Sequence, residues 1–285
     1  MKKSKRHSLG QHFLKNPRLI HKIINIIDPH EDELIVEIGA GKGSLTLPLA
    51  ERCGLVLAIE KDPSLVDLLK NIIPANVKLI AADILKLNLS HIIARPQKEY
   101  SQIKLVGNLP YSIASQIILK AFEHKADFPF WVFLLQEEMA QRFLASPGSK
   151  KFNPLGIMLQ IYFEIRPELK INPRSFQPPP RVYSILLSFT QRSTPLFPLP
   201  EEKNFHSFLK KCFATRRKTL SNNLLAASFS PEAVTEAFSI LKIPPKARAE
   251  ELSLKTFFAL YNFFYLKNKS ENPENILLVK DRKNE

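Results

Sequence analysis

Cysteine, glycine and acidic side chains are all in short supply in this chain of 285 residues, and the shortages exclude several classes of protein. Only two cysteines occur, Cys53 and Cys212, with no Cys-x-x-Cys spacing, which rules out a disulfide scaffold and a structural zinc site. The seven histidines (His7, His12, His21, His30, His91, His124 and His206) show no His-x-x-x-His or similar spacing, so no metal is expected. No apolar run approaches the ~18 residues of a membrane span. The basic opening, Met1 to Ile20, lacks the apolar stretch of a secretory signal. These absences predict a soluble, cytoplasmic protein with no membrane partner. What is present, 45% hydrophobic and 24% charged residues, is globular composition rather than that of a disordered tail. The length allows one large domain, or a large one with a small companion.

Acid is outnumbered, 27 Asp and Glu against 41 Lys and Arg, and the formal charge is +14. The surplus is not uniform. Lys2, Lys3, Lys5, Arg6, Lys15, Arg18 and Lys22 all precede the first acid, Asp28. Lys203, Lys210, Lys211, Arg216, Arg217 and Lys218 lie in a stretch, Lys203 to Pro231, that contains no acid. Between these blocks, Asp28 to Ala94 holds ten acids and six basic residues. Two separated basic blocks around an acidic middle favour a nucleic-acid partner over simple solubilisation, without choosing RNA or DNA.

Pro17 opens a helical pattern through Ile27, with Ile20, Ile23, Ile24 and Ile27 on one face. Leu34 to Ile38, Leu55 to Glu60, Val77 to Ala81, Ile103 to Gly107 and Phe130 to Leu135 read as strands. Helical spacing separates or follows them at about Ser44 to Cys53, Pro63 to Asn71, Ser112 to Glu123 and Glu137 to Leu144. This alternation means βαβ units and a parallel sheet covered on both faces, an α/β fold. The rhythm then changes. Ile157 to Ile165 and Val182 to Phe189 read as a closing pair of strands around a proline-rich loop, Phe176-Gln177-Pro178-Pro179-Pro180. Pro195, Pro198 and Pro200 mark a linker, and four helical segments follow: Lys203 to Phe213, Lys218 to Ser228, Pro231 to Leu241 and Ser253 to Leu266. The predicted organisation is a sheet domain over 1–194 with a basic N-terminal arm, a helical domain over 195–267, and a flexible polar tail over 268–285.

Of only eight glycines, three fall in Glu37-Ile38-Gly39-Ala40-Gly41-Lys42-Gly43, between a strand and a helix. There glycine permits a tight turn and lets backbone approach a ligand at the helix start. The spacing fits neither a P-loop, with Val36 and Gly43 at its defining positions, nor Gly-x-Gly-x-x-Gly. Glu60 ends the next strand about twenty residues on, where open parallel sheets aim a carboxylate at a ribose diol. Asp83 follows the third strand at the same edge, placed to accept from an adenine amino group, and Glu37, inside the first strand, is placed to orient the loop or to reach the ligand's amino group. The set suits an adenosine ligand and leaves NAD, FAD and S-adenosylmethionine open.

Asn108-Leu109-Pro110-Tyr111 follows the fourth strand at that same edge. An exocyclic adenine amine is a poor nucleophile, because its lone pair is delocalised into the ring. Acceptors aimed at its hydrogens stabilise the charge that develops during attack. The Asn108 side chain and the Leu109 carbonyl supply two such acceptors, Pro110 stiffens the turn, and Tyr111 offers a face to a flipped base. Phe176 is a candidate second stacking face, with a core role equally open. Arg216, Arg217 and Lys218, at or near a helix start, are candidate phosphate contacts.

These motifs together resemble the ribosomal RNA adenine dimethyltransferase family, most closely its small-subunit branch. The likeness extends from Gln11 to about Leu260 and includes Gln11-His12-Phe13-Leu14, Glu37 to Thr46, Glu60, Asp83, Asn108 to Tyr111, Pro178 to Val182 and Phe213 to Leu220. The resemblance implies a Rossmann-like class I methyltransferase domain with a mostly parallel seven-stranded sheet, and a small all-helical C-terminal domain. It implies S-adenosylmethionine, held at His12, Leu14, Gly39, Gly41, Glu60, Asp83 and Asn108. The implied target is 16S rRNA within the assembling small subunit: two adjacent adenosines in a hairpin loop near its 3′ end, each receiving two methyl groups. The sequence leaves oligomeric state open, with monomer as the default expectation. Two positions depart from the family: His12 stands where Asn is usual, and Phe152-Asn153-Pro154 replaces the usual Tyr-Gly. The competing readings are the large-subunit (23S) branch associated with antibiotic resistance, a non-catalytic RNA-binding assembly factor of the same fold, and, less favoured, a dinucleotide oxidoreductase.

Overall fold

The computed structural model describes residues 11–94, 99–199 and 201–265, so most of the basic N-terminal arm and the tail over 268–285 lie outside the described residues. In chain order the elements are β1 (Phe13–Leu14), α1 (Pro17–Ile27), β2 (Leu34–Ile38), α2 (Thr46–Ala50), β3 (Leu55–Glu60), α3 (Pro63–Lys70) and β4 (Val77–Ala81). There follow α4 (Leu89–Ile93), β5 (Ile103–Asn108), α5 (Ala114–Glu123), β6 (Phe130–Gln136), α6 (Glu137–Phe143), α7 (Pro154–Tyr162), β7 (Phe163–Ile171), β8 (Phe176–Gln177) and β9 (Ser184–Gln191). The last helices are α8 (Glu202–Cys212), α9 (Leu220–Ala226), α10 (Pro231–Ile240) and α11 (Leu254–Tyr265). The chain divides into two compact units. One holds the residues up to Gln141 with Phe163–Arg192; the other holds Arg142–Tyr162 with the residues from Ser193 onward. Segment 142–162, which chain order groups with the sheet, therefore belongs to the second unit.

Local chemistry sets the helix starts. Asn16 accepts from the Leu19 amide at 3.3 Å with Pro17 next, and α1 stops at Asp28, whose φ of 47° is left-handed. Asp62 caps α3 through the Ser64 amide at 2.9 Å, again followed by proline. Ser230 and Pro231 repeat the device at α10.

The first unit is a seven-stranded sheet in the order β4-β3-β2-β5-β6-β9-β7. The five strands from β4 to β6 are parallel; β9 runs antiparallel to both β6 and β7. Every residue of β2 and β3 is buried, as a strand covered on both faces requires. At one margin β7 carries Glu164, Arg166, Glu168 and Lys170, together with a register shift between Pro167 and Leu169, features that discourage edge-to-edge pairing. Trp131 anchors the core at that side: its ring centroid lies 4.2 Å from that of Phe163, and its indole N–H donates to the Phe128 carbonyl at 2.7 Å.

The closing strands differ from the expectation. Ile157 to Tyr162 is helical, and the strand begins only at Phe163 and runs to Ile171. The nearly unbroken apolar run carries no two-residue alternation, so its sequence alone does not separate helix from strand. The cap decides it: Asn153 Oδ1 accepts from the Gly156 amide at 3.0 Å, with Pro154 in the first turn. The short helix α4 and the two-stranded ribbon of β1 with β8 also go beyond the sequence reading. Among the described residues, no helix is long and apolar enough to cross a membrane.

The chain lays down β2, β3 and β4 outward, then returns to place β5 and β6 on the other side of β2. Strand order therefore reverses between β2 and β5, and crevices at carboxyl strand ends open at such reversals. Gly107 lets the two strands meet: a Cβ there lies 2.6 Å from the Ile38 carbonyl oxygen, a backbone atom that no rotamer moves aside. We expect Gly107→Ala to destabilise the protein by about 1–3 kcal/mol through overpacking, read as a lower urea midpoint with an unchanged slope.

Candidate active site

Two turns meet at the reversal. After β2, Gly39, Gly41 and Gly43 adopt φ of 75°, 59° and 83°, the left-handed region that other residues rarely enter. The Gly39 and Ala40 amides donate to the Ile59 carbonyl at 2.9 and 3.1 Å, folding the loop back against β3. After β5 comes Asn108-Leu109-Pro110-Tyr111. A Cβ on Gly39 sits 3.8 Å from the Asn108 carbonyl oxygen, so the two turns are in contact. One cleft at this edge is lined by His12, Leu14, Gly39, Gly41, Glu60, Asp83, Asn108, Leu109, Pro110 and Tyr111. Its empty space, open mouth included, is about 1170 Å³.

Three carboxyl groups line the cleft, each in a different setting. Glu60 is buried and accepts three backbone amides: Gly41 through one oxygen at 2.8 Å, and Lys61 and Asp62 through the other, both at 2.8 Å. An ionised carboxylate has about four acceptor sites, so Glu60 braces the glycine loop and keeps one site for a ligand hydroxyl. Asp83 caps the 3₁₀ turn at Ile84–Lys86 by accepting from the Leu85 amide at 3.0 Å, and meets the Lys61 ammonium at 2.7 Å. The Lys61 contact, then the Leu85 bond, holds the Asp83 carboxyl below the usual range and therefore ionised. Burial pushes Glu37 the other way, up to about 7; the Thr46 hydroxyl, donating at 2.5 Å, opposes the rise and the Glu60 charge adds to it.

Asn108 is oriented by its neighbour across the cleft. Its Nδ2 donates to the His12 carbonyl at 2.7 Å, and a carbonyl can only accept. The side-chain oxygen is thereby left as an acceptor. His12 in turn donates from Nδ1 to the Pro178 carbonyl at 2.7 Å, and its ring centroid lies 5.5 Å from that of Tyr111. The Tyr111 hydroxyl shares a 2.8 Å bond with the buried Ser184 hydroxyl; burial raises the phenol's pKa, and the Ser184 bond partly offsets the rise. The His12–Leu14 segment is fastened at further points. Leu14 pairs with Phe176, the Ser44 hydroxyl donates to the Leu14 carbonyl at 3.0 Å, and the Lys42 ammonium sits 4.9 Å from the Phe13 ring centroid.

Phe176 is corrected. It is fully buried in the apolar core with Leu14, Ile171 and Leu186, so it supports the ribbon and has no free face for a base. Arg216, Arg217 and Lys218 lie in the second unit, in the turn before α9 rather than on a helix, and all three are exposed. The sequence reading missed Phe13, Ser44 and Lys61, which also line the cleft. Lys61 was within reach, since it directly follows Glu60. Ser184 was not, because it is 73 residues from Tyr111 and only the antiparallel return of β9 brings it close. Among the described residues, no group of three or more His, Cys, Asp or Glu side chains is placed to hold a metal ion.

The Glu37 environment carries a pH signature. A carboxyl whose folded pKa lies above its unfolded value binds its proton more tightly in the native state. Its contribution is favourable at low pH and is lost as pH rises from about 4.5 towards 7. We expect Glu37→Gln to abolish that loss, matching wild type near pH 5 and exceeding its stability by about 2–3 kcal/mol at pH 8, measured by thermal unfolding against pH.

A family model described as "Ribosomal RNA adenine dimethylase" matches residues 2–266. The chain is 34% identical over 272 residues to "Ribosomal RNA small subunit methyltransferase A" of Halothermothrix orenii, covering 94% of this chain and 90% of the relative. It is 38% identical over 258 residues to the protein of that name from Xylella fastidiosa, covering 90% of this chain and 94% of the relative. Among solved structures, a dimethyladenosine transferase from Plasmodium falciparum superposes with a TM-score of 0.75 at 23% identity, over 90% of this chain and 98% of that one, a likeness of fold. With the Asn-Leu-Pro-Tyr turn set against the glycine loop, and a match that runs nearly end to end, the chain belongs to the ribosomal RNA adenine dimethylase family.

Proposed function

We propose that this protein dimethylates the exocyclic amino nitrogens of two adjacent adenosines in a hairpin loop near the 3′ end of 16S rRNA, acting on the assembling small ribosomal subunit. S-adenosylmethionine is its methyl donor, and the protein works as a monomer in the cytoplasm. The names of the relatives from Halothermothrix orenii and Xylella fastidiosa support the small subunit as substrate. The observation that carries the reading is the fixed Asn108 amide, with its NH₂ engaged by His12 and its oxygen left as an acceptor beside the glycine loop.

The residues fit the donor. Glycines without side chains give backbone close access, Glu60 keeps an acceptor site for a ribose hydroxyl, and ionised Asp83 on the cleft lining offers an acceptor to an adenine amino group. Leu14, Gly41 and His12 line the same cleft. When bound, S-adenosylmethionine supplies an electrophilic methyl group on a positively charged sulfur. Asn108 Oδ1 and the Leu109 carbonyl accept the two hydrogens of the target amine and stabilise the positive charge that grows on its nitrogen. Pro110 restricts the turn that presents them, and the Tyr111 ring, held by Ser184 at one end and His12 at its face, stacks on the flipped base. A monomethylated amine still has one hydrogen to donate, so one acceptor contact persists into the second transfer.

We expect Asn108→Ala to lower the single-turnover rate by roughly 10²–10³, with a much smaller loss of S-adenosylmethionine affinity by calorimetry, because six other positions of the donor site remain. Incubating labelled donor with unmodified small and large subunits tests the substrate. Label confined to adjacent adenosines of 16S rRNA is the expected result; label in 23S rRNA, or none with cofactor bound, overturns it.

A further inference from the structure

Helix α5 begins just past the acceptor turn, separated from Tyr111 only by Ser112 and Ile113, and its Ile117 lines the cleft. Its last turn reaches the Asp83 side of the site. There the Lys120 ammonium donates to the Leu85 carbonyl at 3.2 Å. Leu85 is also the residue whose amide donates to Asp83 Oδ1 at 3.0 Å. It is therefore held twice, by Asp83 at its amide and by Lys120 at its carbonyl. The other Asp83 oxygen meets Lys61, whose side chain is 60% exposed on a long flexible stem. Of the two contacts, the Leu85 bond is the one that comes from backbone.

Two further side chains hold the same segment. His124, at the C-cap of α5, and Asp127, in the 3₁₀ turn Lys125–Asp127, follow Lys120 at i+4 and i+7. Both meet Ser90 in α4, whose hydroxyl donates to Asp127 Oδ2 at 2.6 Å and lies 2.8 Å from His124 Nδ1. A hydroxyl has one hydrogen, so with that hydrogen on Asp127 the His124 Nδ1–H donates to the Ser90 oxygen. Leu85, Ser90, Lys120, His124 and Asp127 are all half-buried. A 3₁₀ turn as short as Ile84–Lys86 has few hydrogen bonds of its own, so contacts from outside decide where it sits.

We infer that Lys120 is a positioning residue for S-adenosylmethionine binding: through the Leu85 carbonyl it sets the turn that presents Asp83 to the donor's adenine, while Ser90, His124 and Asp127 steady the chain beyond it. The inference rests on the assignment of Asp83 to the adenine amino group made above. Lys120 does not line the cleft, so it acts on the donor through Leu85. Because α5 starts at the acceptor turn, one helix fixes both the turn that receives the target amine and the turn that receives the donor's adenine.

The test uses full-length protein. Lys120→Met keeps the stem and removes the ammonium. Calorimetry should show its S-adenosylmethionine affinity weakened about three- to tenfold, the size of one lost hydrogen bond. Its single-turnover rate at saturating donor should stay within about twofold of wild type. Amide exchange at Leu85 and Lys86 should quicken, and Lys120→Arg, which still donates, should restore both affinity and protection. In an Asp83→Ala background, Lys120→Met should cost no further affinity. Affinity and exchange are read without RNA, so they stand apart from the choice of methylated substrate. Wild-type affinity for Asp83→Ala overturns the adenine assignment beneath the inference. A weakened Asp83→Ala beside a wild-type Lys120→Met overturns the inference alone. It also fails if the Lys120→Met loss persists undiminished in Asp83→Ala, or if the rate at saturating donor falls as far as the affinity.

Discussion

The close approach of β2 and β5 governs everything at the cleft. One glycine allows it: at Gly107 a side chain would collide with the Ile38 carbonyl, whereas Gly39 is required by its left-handed φ of 75°. Because neighbouring parallel strands end at the same edge, the turn after each strand is delivered to one place. Because strand order reverses between these two, the turns diverge enough to leave a crevice. An acceptor turn on one strand end and a ligand loop on the other then need no further machinery to face each other.

Around that junction, the chain satisfies its polar groups in ways that prepare the site before any ligand arrives. Glu60 organises the loop by accepting three backbone amides, and Lys61 keeps Asp83 ionised. Glu37 sits deep enough that desolvation dominates its ionisation. The Asn108 amide is turned by a carbonyl on a segment 96 residues earlier in the chain. That segment is itself held by Ser44, Lys42, Pro178 and the pairing with Phe176. Preorganised polar groups of this kind reorient little during reaction, which is where electrostatic stabilisation gains most of its effect.

The second unit follows the same logic with different parts. Buried Asn153 and Asn223 satisfy the carbonyls and amides of two irregular turns, and the Arg216 guanidinium joins those turns across the chain.

The sequence by itself determined the βαβ rhythm, the bounds of β2, β3, β4 and α1 to the residue, and the positions of the glycine loop, Glu60, Asp83 and Asn108-Leu109-Pro110-Tyr111 along one sheet edge. These are local matters: buried runs bounded by proline, glycine and capping residues, with side-chain placement following from strand ends. Tertiary structure alone decided that Ile157 to Tyr162 is helix, because a uniformly apolar run has no period until a cap and a packing partner choose one. It alone buried Phe176, joined Tyr111 to Ser184, fastened His12 to Asn108 and tied the exposed Arg216 to the Lys150 and Phe152 carbonyls. Each of those depends on contacts between residues far apart in the chain, and spacing along a sequence carries no record of such distances.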